Sequence, residues 1–261
     1  MAKRTLAQLQ AAFAPKASKS YAHIFDFWKM NVGQMSTIRF LPDADDENPM
    51  GFLVENLTHE LIINGKKETI ACREMYDEEC PICALSRSYY AADDKLNGKK
   101  FYRKKSYLGQ CLIVDTPIEH DKDPIIKQVE IGPALFKGMQ AAFGSGDMEN
   151  PPEEMVGGYN FRIRKTQDGQ YASYNTSSFA TKQSDLMPDV IAVVTPLLHD
   201  LKTLRAALLP LDTVKAKLAA AQNMTTPATP AGVEEAGVAL AKSEKVSDVL
   251  RARRASTEEA A

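Results

Sequence analysis

No apolar run in the chain approaches the ~20 residues that a membrane-spanning helix requires. The opening residues MAKRTLAQLQ lack the apolar centre of a secretory signal. Cysteine is scarce, four in 261 residues. That is too few for a disulfide-built extracellular fold, so a reducing cytoplasm is the expected compartment. G-x-S-x-G, Walker and H-E-x-x-H motifs are all missing, which removes the commonest hydrolase, nucleotide-binding and metalloprotease readings. Tryptophan occurs once, as Trp28 in FDFWKM, and is assigned to the core. His23, His120 and His199 have no partner in the sequence and are assigned to the surface. At 44% hydrophobic and 25% charged residues, the composition is that of one compact domain with appendages.

The few cysteines are concentrated. His59, Cys72, Cys80 and Cys83 follow the pattern H-x12-C-x7-C-x2-C, closing on CPIC, with the turn-forming stretch REMYDEECP between the sulfurs. Three thiolates and one imidazole complete a tetrahedral zinc set and leave no position for water or substrate. One structural zinc, a staple rather than a catalyst, is the expectation. A free thiol cluster is the alternative. Cys111, in the apolar run QCLIVD, is expected as a buried strand cysteine; an all-cysteine site in which it replaces His59 also remains open.

The net charge of -2 conceals segregation. Residues 1–41 carry six Lys/Arg against one Asp, whereas residues 42–98 carry five basic and thirteen acidic groups. Residues 99–127 and 159–182 are again basic. Blocks of this kind can build a basic groove on a protein that is acidic overall. The acidic cluster Asp43, Asp45, Asp46 and Glu47 is expected to be a loop. A magnesium site there is the one foothold for an enzyme, a zinc-stapled nuclease or primase-like component.

Residues 3–14 have Leu6, Leu9 and Phe13 at helical spacing, ended by Pro15, and predict a basic N-terminal arm over residues 1–20. A core is expected over residues 21–222. STIRFLPD, GFLVENLTHELII, KKETIACRE, SYLGQCLIVD, IIKQVEIG, YNFRIRKT and QYASYNTSSF predict strands. Asn64-Gly65 and Asp168-Gly169 predict hairpin turns, and GPALFKGMQAAFG a helix. The pattern suggests a mainly β fold with peripheral helices: a small antiparallel barrel with a zinc lobe inserted at about 52–98. A helical end is expected at about 188–222. Leu197, Leu198, Leu201, Leu204 and Leu208 form a helical stripe, Pro210 ends it, and Asp212 can cap a further helix. Residues 223–261 read as linker and tail.

Two segments carry the candidate chemistry. NGKKFYRKKSYLG interleaves Lys99, Lys100, Arg103, Lys104 and Lys105 with Phe101, Tyr102 and Tyr107. Cations neutralise phosphate and aromatic faces stack on unpaired bases, which favours a single strand over a duplex. In YNFRIRK, Arg162 and Arg164 share one strand face, opposite Phe161 and Ile163, and Tyr171 and Tyr174 follow the Asp-Gly turn. An RNA-binding regulator is compatible with the same residues.

These segments, in order over about residues 3–190, resemble the gene 32 single-stranded DNA-binding proteins of T-even bacteriophages. FLVENLTHELIINGKKETIACREMYDEECPIC is similar to that family's His-Cys-Cys-Cys zinc segment, with the same His-to-Cys and Cys-x-x-Cys spacings. KKFYRKKSYLGQCLIVD is similar to its basic, aromatic DNA-contacting strand. The resemblance implies a five-stranded OB-type barrel with a zinc subdomain. By position it makes His59, Cys72, Cys80 and Cys83 the metal ligands. Tyr102, Arg103, Lys104, Lys105, Tyr107, Tyr171 and Tyr174 would line the DNA cleft. Lys3, Arg4 and Thr5 resemble the family's basic N-terminal motif for cooperative self-association along DNA. The implied function is non-enzymatic, cooperative coating of single strands, without strong sequence preference, in phage replication, recombination and repair. The family recruits replication and recombination proteins through a strongly acidic tail. Here residues 233–261 hold six acids and five bases.

Overall fold

Alternating apolar and polar side chains generate most of the architecture. The computed structural model describes residues 23–146 and 148–223. The arm with Lys3, Arg4 and Thr5, and the tail from residue 224, lie outside the described residues. The strands are β1 (Met35–Phe40), β2 (Leu53–Ile63), β3 (Lys66–Ala71), β4 (Lys104–Asp115), β5 (Lys127–Ile131), β6 (Asn160–Arg164), β7 (Thr166–Asp168), β8 (Tyr171–Ser173) and β9 (Ser178–Phe179). The helices are α1 (Pro81–Ala91), α2 (Lys95–Phe101), α3 (Pro133–Gly144), α4 (Pro188–Val194) and α5 (Leu211–Asn223). Among the described residues no helix is long and apolar enough to cross a membrane.

Seven strands form one antiparallel sheet in the order β3-β2-β4-β1-β6-β9, with β5 also on β4. The hydrogen-bonded path does not close on itself among the described residues. β4 is its pivot, pairing β2 through Lys104–Gly109, β1 through Cys111–Asp115, and β5 through Tyr107–Cys111. At the changeover, a Cβ on Gly109 would sit 2.8 Å from a Leu53 methyl and 2.9 Å from the Phe52 carbonyl oxygen. Glycine is therefore what allows β2 to depart there. β2 and β3 are joined by the predicted Asn64-Gly65 turn, with φ of 51° and 75°, the left-handed pair that a two-residue hairpin requires. β7 and β8 form a separate hairpin across Gly169.

Two main apolar cores result. The first lies under β1, β4, β5 and β6 and is rich in phenylalanine: Phe40, Phe52, Phe161 and Phe179 have ring centroids 4.8–6.5 Å apart. Each buried ring contributes about 2–3 kcal/mol by removal from water. The second core joins the end of β2, β3 and α1 to α5, through Leu57, Leu61, Ile70, Ile82, Phe101, Val214 and Leu218. Its C-terminal helix was not legible as part of the metal lobe. Val214, Leu218 and Ala221 face the lobe at helical spacing, Lys217 pairs with Glu68 at 2.5 Å, and Arg73 donates to the Leu209 carbonyl at 2.6 Å.

The leucine stripe does not form the expected single helix. It is broken into short 3-10 turns at Thr195–Leu197 and Leu201–Leu204. Gln110 of β4 captures the intervening backbone, accepting from His199 N at 3.0 Å and donating to His199 O at 3.1 Å. Asp200 then caps the second turn by accepting from Lys202 N. Leu201 is buried with Val54 and Leu108, and Leu204 packs against them, so these two leucines are anchored by contacts with the sheet, while Leu197 is exposed.

Candidate functional site

The metal lobe brings its four predicted ligands together. His59 lies on β2, Cys72 follows β3, Cys80 caps α1, and Cys83 lies in its first turn behind Pro81. All four are buried, and their ligand atoms lie within 4.8 Å of one another. His59 Nε2 is 3.4 Å from the Sγ atoms of both Cys80 and Cys83, and Cys72 Sγ is 3.5 Å from Cys83 Sγ. A tetrahedral ion bound by sulfur and nitrogen calls for edges of about 3.6–3.8 Å, close to these three contacts, while the widest separation of 4.8 Å would have to shorten around it. His59 Nδ1 donates to the Phe101 carbonyl at 3.0 Å. That bond makes Nδ1 the donor and leaves Nε2 facing the sulfurs, the orientation a metal-ligating histidine requires.

The electrostatics call for positive charge between the sulfurs. Burial disfavours the imidazolium of His59, yet the Cys72 and Cys80 sulfurs outweigh it and raise its pKa to about 9. Hydrogen bonds from Cys72 and Cys83 pull the Cys80 thiol far below its ordinary range, while the same crowding pushes Cys83 up. Three touching sulfurs cannot all ionise without a cation between them. This is a site that could hold a metal ion. Cys111 is not part of it: the residue is fully buried in the first core opposite Phe40, and burial pushes its thiol up. That geometry excludes the all-cysteine arrangement.

The acidic loop has a structural role. Asp43 is buried and accepts from Asn48 at 2.8 Å and from Leu201 N at 3.0 Å, while Asp45 pairs with Lys202 at 2.5 Å. The carboxylates pin the loop to the segment after α4. Among the described residues, the His59 group is the one cluster of three or more His, Cys, Asp or Glu that could hold a metal.

The basic segment is divided between two elements. Lys99 and Lys100 occupy the last turn of α2, Tyr102 caps that helix and is 57% exposed, and β4 begins only at Lys104. A groove of about 390 Å³ is lined by Lys67, Lys99, Lys100, Tyr102, Arg103 and Lys104. Lys104 and Glu60 are shared with a second groove of about 530 Å³, lined also by Lys105, Asn56, Ser106, Gln128 and Trp28.

Trp28 is not where the sequence reading places it. It is 44% exposed rather than core. Its ring packs on Phe27 at a tilt of 36°, with centroids 4.0 Å apart, and stands perpendicular to Tyr174 at 6.2 Å. It lies in the short turn Phe27–Lys29, where no periodicity assigns a side. The turn is held by Lys165, which donates to the Trp28 and Met30 carbonyls at 2.7 and 2.6 Å. Trp28 therefore links the groove beside Lys104 and Lys105 to the region of β6–β8.

Tyr107 is misplaced in the opposite sense. It is 5% exposed and stacks on Phe136 of α3 at 3.6 Å. The helix covers the ring, which leaves no open face for a base. Tyr174 is half-buried against Phe27 and Trp28, whereas Tyr171 is 71% exposed on the β7–β8 hairpin. Arg162 and Arg164 face outward from β6 while Phe161 and Ile163 face the core, as their spacing predicted. His23, His120 and His199 are exposed.

The cations differ in their partners. Lys99, Lys100, Arg162 and Arg164 make no ion pair among the described residues. The three successive cations Arg103, Lys104 and Lys105 each meet a carboxylate: Glu74 at 2.6 Å, Glu60 and Glu55. Hydrogen bonds from Lys104 and then Lys67 hold the Glu60 carboxyl below the usual range.

No curated protein matches the chain. A protein-family model described as gp32 DNA binding protein like matches residues 33–219, from before β1 into α5. With most of its length covered by that match, which spans the sheet, the His59–Cys83 lobe and the helices into α5, the chain belongs to the gp32-like DNA-binding protein family.

Proposed function

We propose that the chain is a non-enzymatic single-stranded DNA-binding protein that coats transient single strands cooperatively and without strong sequence preference in phage replication, recombination and repair. The observation that carries this reading is the half-exposed Trp28, seated on Phe27 and Tyr174 beside a groove holding Lys104 and Lys105. An open aromatic face can stack an unpaired base, and a duplex offers none. Lys99, Lys100, Tyr102 and Arg103 extend the track along the adjoining groove. Arg162, Arg164, Tyr171 and Tyr174 extend it past Trp28. The family match supports the same reading.

The ion held by His59, Cys72, Cys80 and Cys83 would be a single structural Zn2+. It fastens β2, β3 and α1 together and thereby supports the β2–β4 pairing on which the basic residues stand. On this reading the sheet is an OB-type barrel. Lys3, Arg4 and Thr5 supply self-association along the strand, and residues 223–261 meet replication and recombination proteins in the host cytoplasm. Competition among a single-stranded oligonucleotide, its duplex and the matched RNA tests the proposal. Single-stranded DNA should compete best. Preference for duplex, or magnesium-dependent cleavage of the bound strand, would contradict it.

A further inference from the structure

The grooves contain their own anions. Three carboxylates, Glu74, Glu60 and Glu55, hold Arg103 just before β4 and the two lysines that open it, Lys104 and Lys105. Glu60 also pairs with Lys67 at 2.6 Å and Glu74 with Arg87 at 2.7 Å. Five cations thus share three carboxylates. The acids come from β2 and the 3-10 turn after Cys72, so the pairs join residues distant in sequence: Lys104 and Glu60 are 44 positions apart, and Arg103 and Glu74 are 29 apart. In the groove beside Trp28, Lys104 and Lys105 face Glu60 and Glu130, a balanced count. A carboxylate and a phosphodiester offer the same kind of oxygen to an ammonium or guanidinium. The positions along the start of β4 that suit phosphate are therefore occupied in the free protein.

We infer that Glu55, Glu60 and Glu74 act as built-in phosphate surrogates, which the backbone of a single strand must displace from Arg103, Lys104 and Lys105. The inference rests on the single-strand reading above and adds how the site is regulated. Displacement leaves carboxylates beside phosphates, and like charges at that range repel. It also alters the ion balance. A phosphate neutralised on a single strand releases about 0.7 of a counterion. A glutamate that loses its lysine takes up a cation, which cancels part of that release. The protein thereby lowers both its affinity and its salt response. Lys99, Lys100, Arg162 and Arg164, which carry no such carboxylate, are the sites where a strand is captured first. The exchange on β4 follows, and it requires a ligand with several phosphates in a row. A mononucleotide or a lone phosphate cannot drive it.

Glu60→Gln keeps the side-chain size and removes the charge from two lysines at once. Binding of a fluorescent dT oligonucleotide should tighten about tenfold near 0.1 M salt, from two exposed pairs of ordinary strength. The slope of log K against log salt should steepen by up to about one unit. Asp45→Asn removes one charge from the loop after β1, whose Asp45 lines neither groove, and should leave both quantities unchanged. Glu55→Gln is the second variant and should act in the same direction, with thermal melts confirming that each folds. Equal effects of Glu60→Gln and Asp45→Asn would reduce the idea to net charge and overturn it. Weaker binding by Glu60→Gln and Glu55→Gln would make the carboxylates positioning groups, which also overturns it. Failure of the wild-type protein to bind the oligonucleotide at any salt would instead overturn the functional reading itself, and this inference with it.

Discussion

Replacing Trp28 by alanine should weaken single-strand binding while leaving the protein folded. The ring is 44% exposed and packs on Phe27 at 4.0 Å, so part of it is held and part is open. A stacked base is worth about 1–3 kcal/mol, which is about a 5- to 150-fold rise in Kd. The substitution also removes contacts with Phe27 and Tyr174, each worth about 0.5–1.5 kcal/mol, so a modest fall in Tm accompanies it. Trp28→Phe retains an aromatic face and should recover part of the affinity. The assay is built into the chain. Trp28 is its one tryptophan, so intrinsic fluorescence reports this ring alone. Saturation with a dT oligonucleotide should quench it, and a duplex of equal length should quench it far less. Unchanged fluorescence at saturation, or a Trp28→Ala Kd within twofold of wild type, would refute the role assigned to this ring.

The tyrosines should separate by burial. Tyr107→Ala loses a ring packed on Phe136, which should cost about 3–5 kcal/mol of stability, whereas Tyr171→Ala should leave the melt unchanged and weaken only DNA binding. Calorimetry and oligonucleotide titration of both variants check this. Cys80→Ser should lower metal content below the one zinc per chain expected of wild type and destabilise the second core, including Val214 and Leu218 of α5; full zinc occupancy by elemental analysis would sink the ligand assignment. Deleting residues 1–15 should impair binding to long strands that hold several copies and spare binding to a strand that holds one. Equal losses on both would replace neighbour docking with direct phosphate contact by the arm.

The strands and the His59–Cys83 cluster are legible in the sequence because both depend on short-range patterns. Alternation placed Phe161 and Ile163 inside and Arg162 and Arg164 outside, and His-Cys spacing picked out four groups that the fold brings together. What failed depends on packing between distant segments. Tyr107 and Trp28 exchanged roles because α3 covers one ring, while the turn before β1 leaves the other exposed at a groove. The leucine stripe carried helical periodicity, yet Gln110 from β4 takes the hydrogen bonds a helix would use. The glutamates opposite Arg103, Lys104 and Lys105 seemed part of an acidic lobe, and only the register of β2 on β4, with the turn after Cys72, sets them beside those cations.

A salt titration of one labelled oligonucleotide, single-stranded and as duplex, tests single-strand binding at these grooves most directly. If the grooves neutralise about four phosphates, log K for the single strand should fall with log salt with a slope near -3, at about -0.7 per phosphate. The stacking contribution should persist at high salt, so the single strand should remain preferred throughout. A flat salt response, or equal affinity for the duplex across the titration, would contradict the claim that this face binds a single strand by neutralising phosphates and stacking bases.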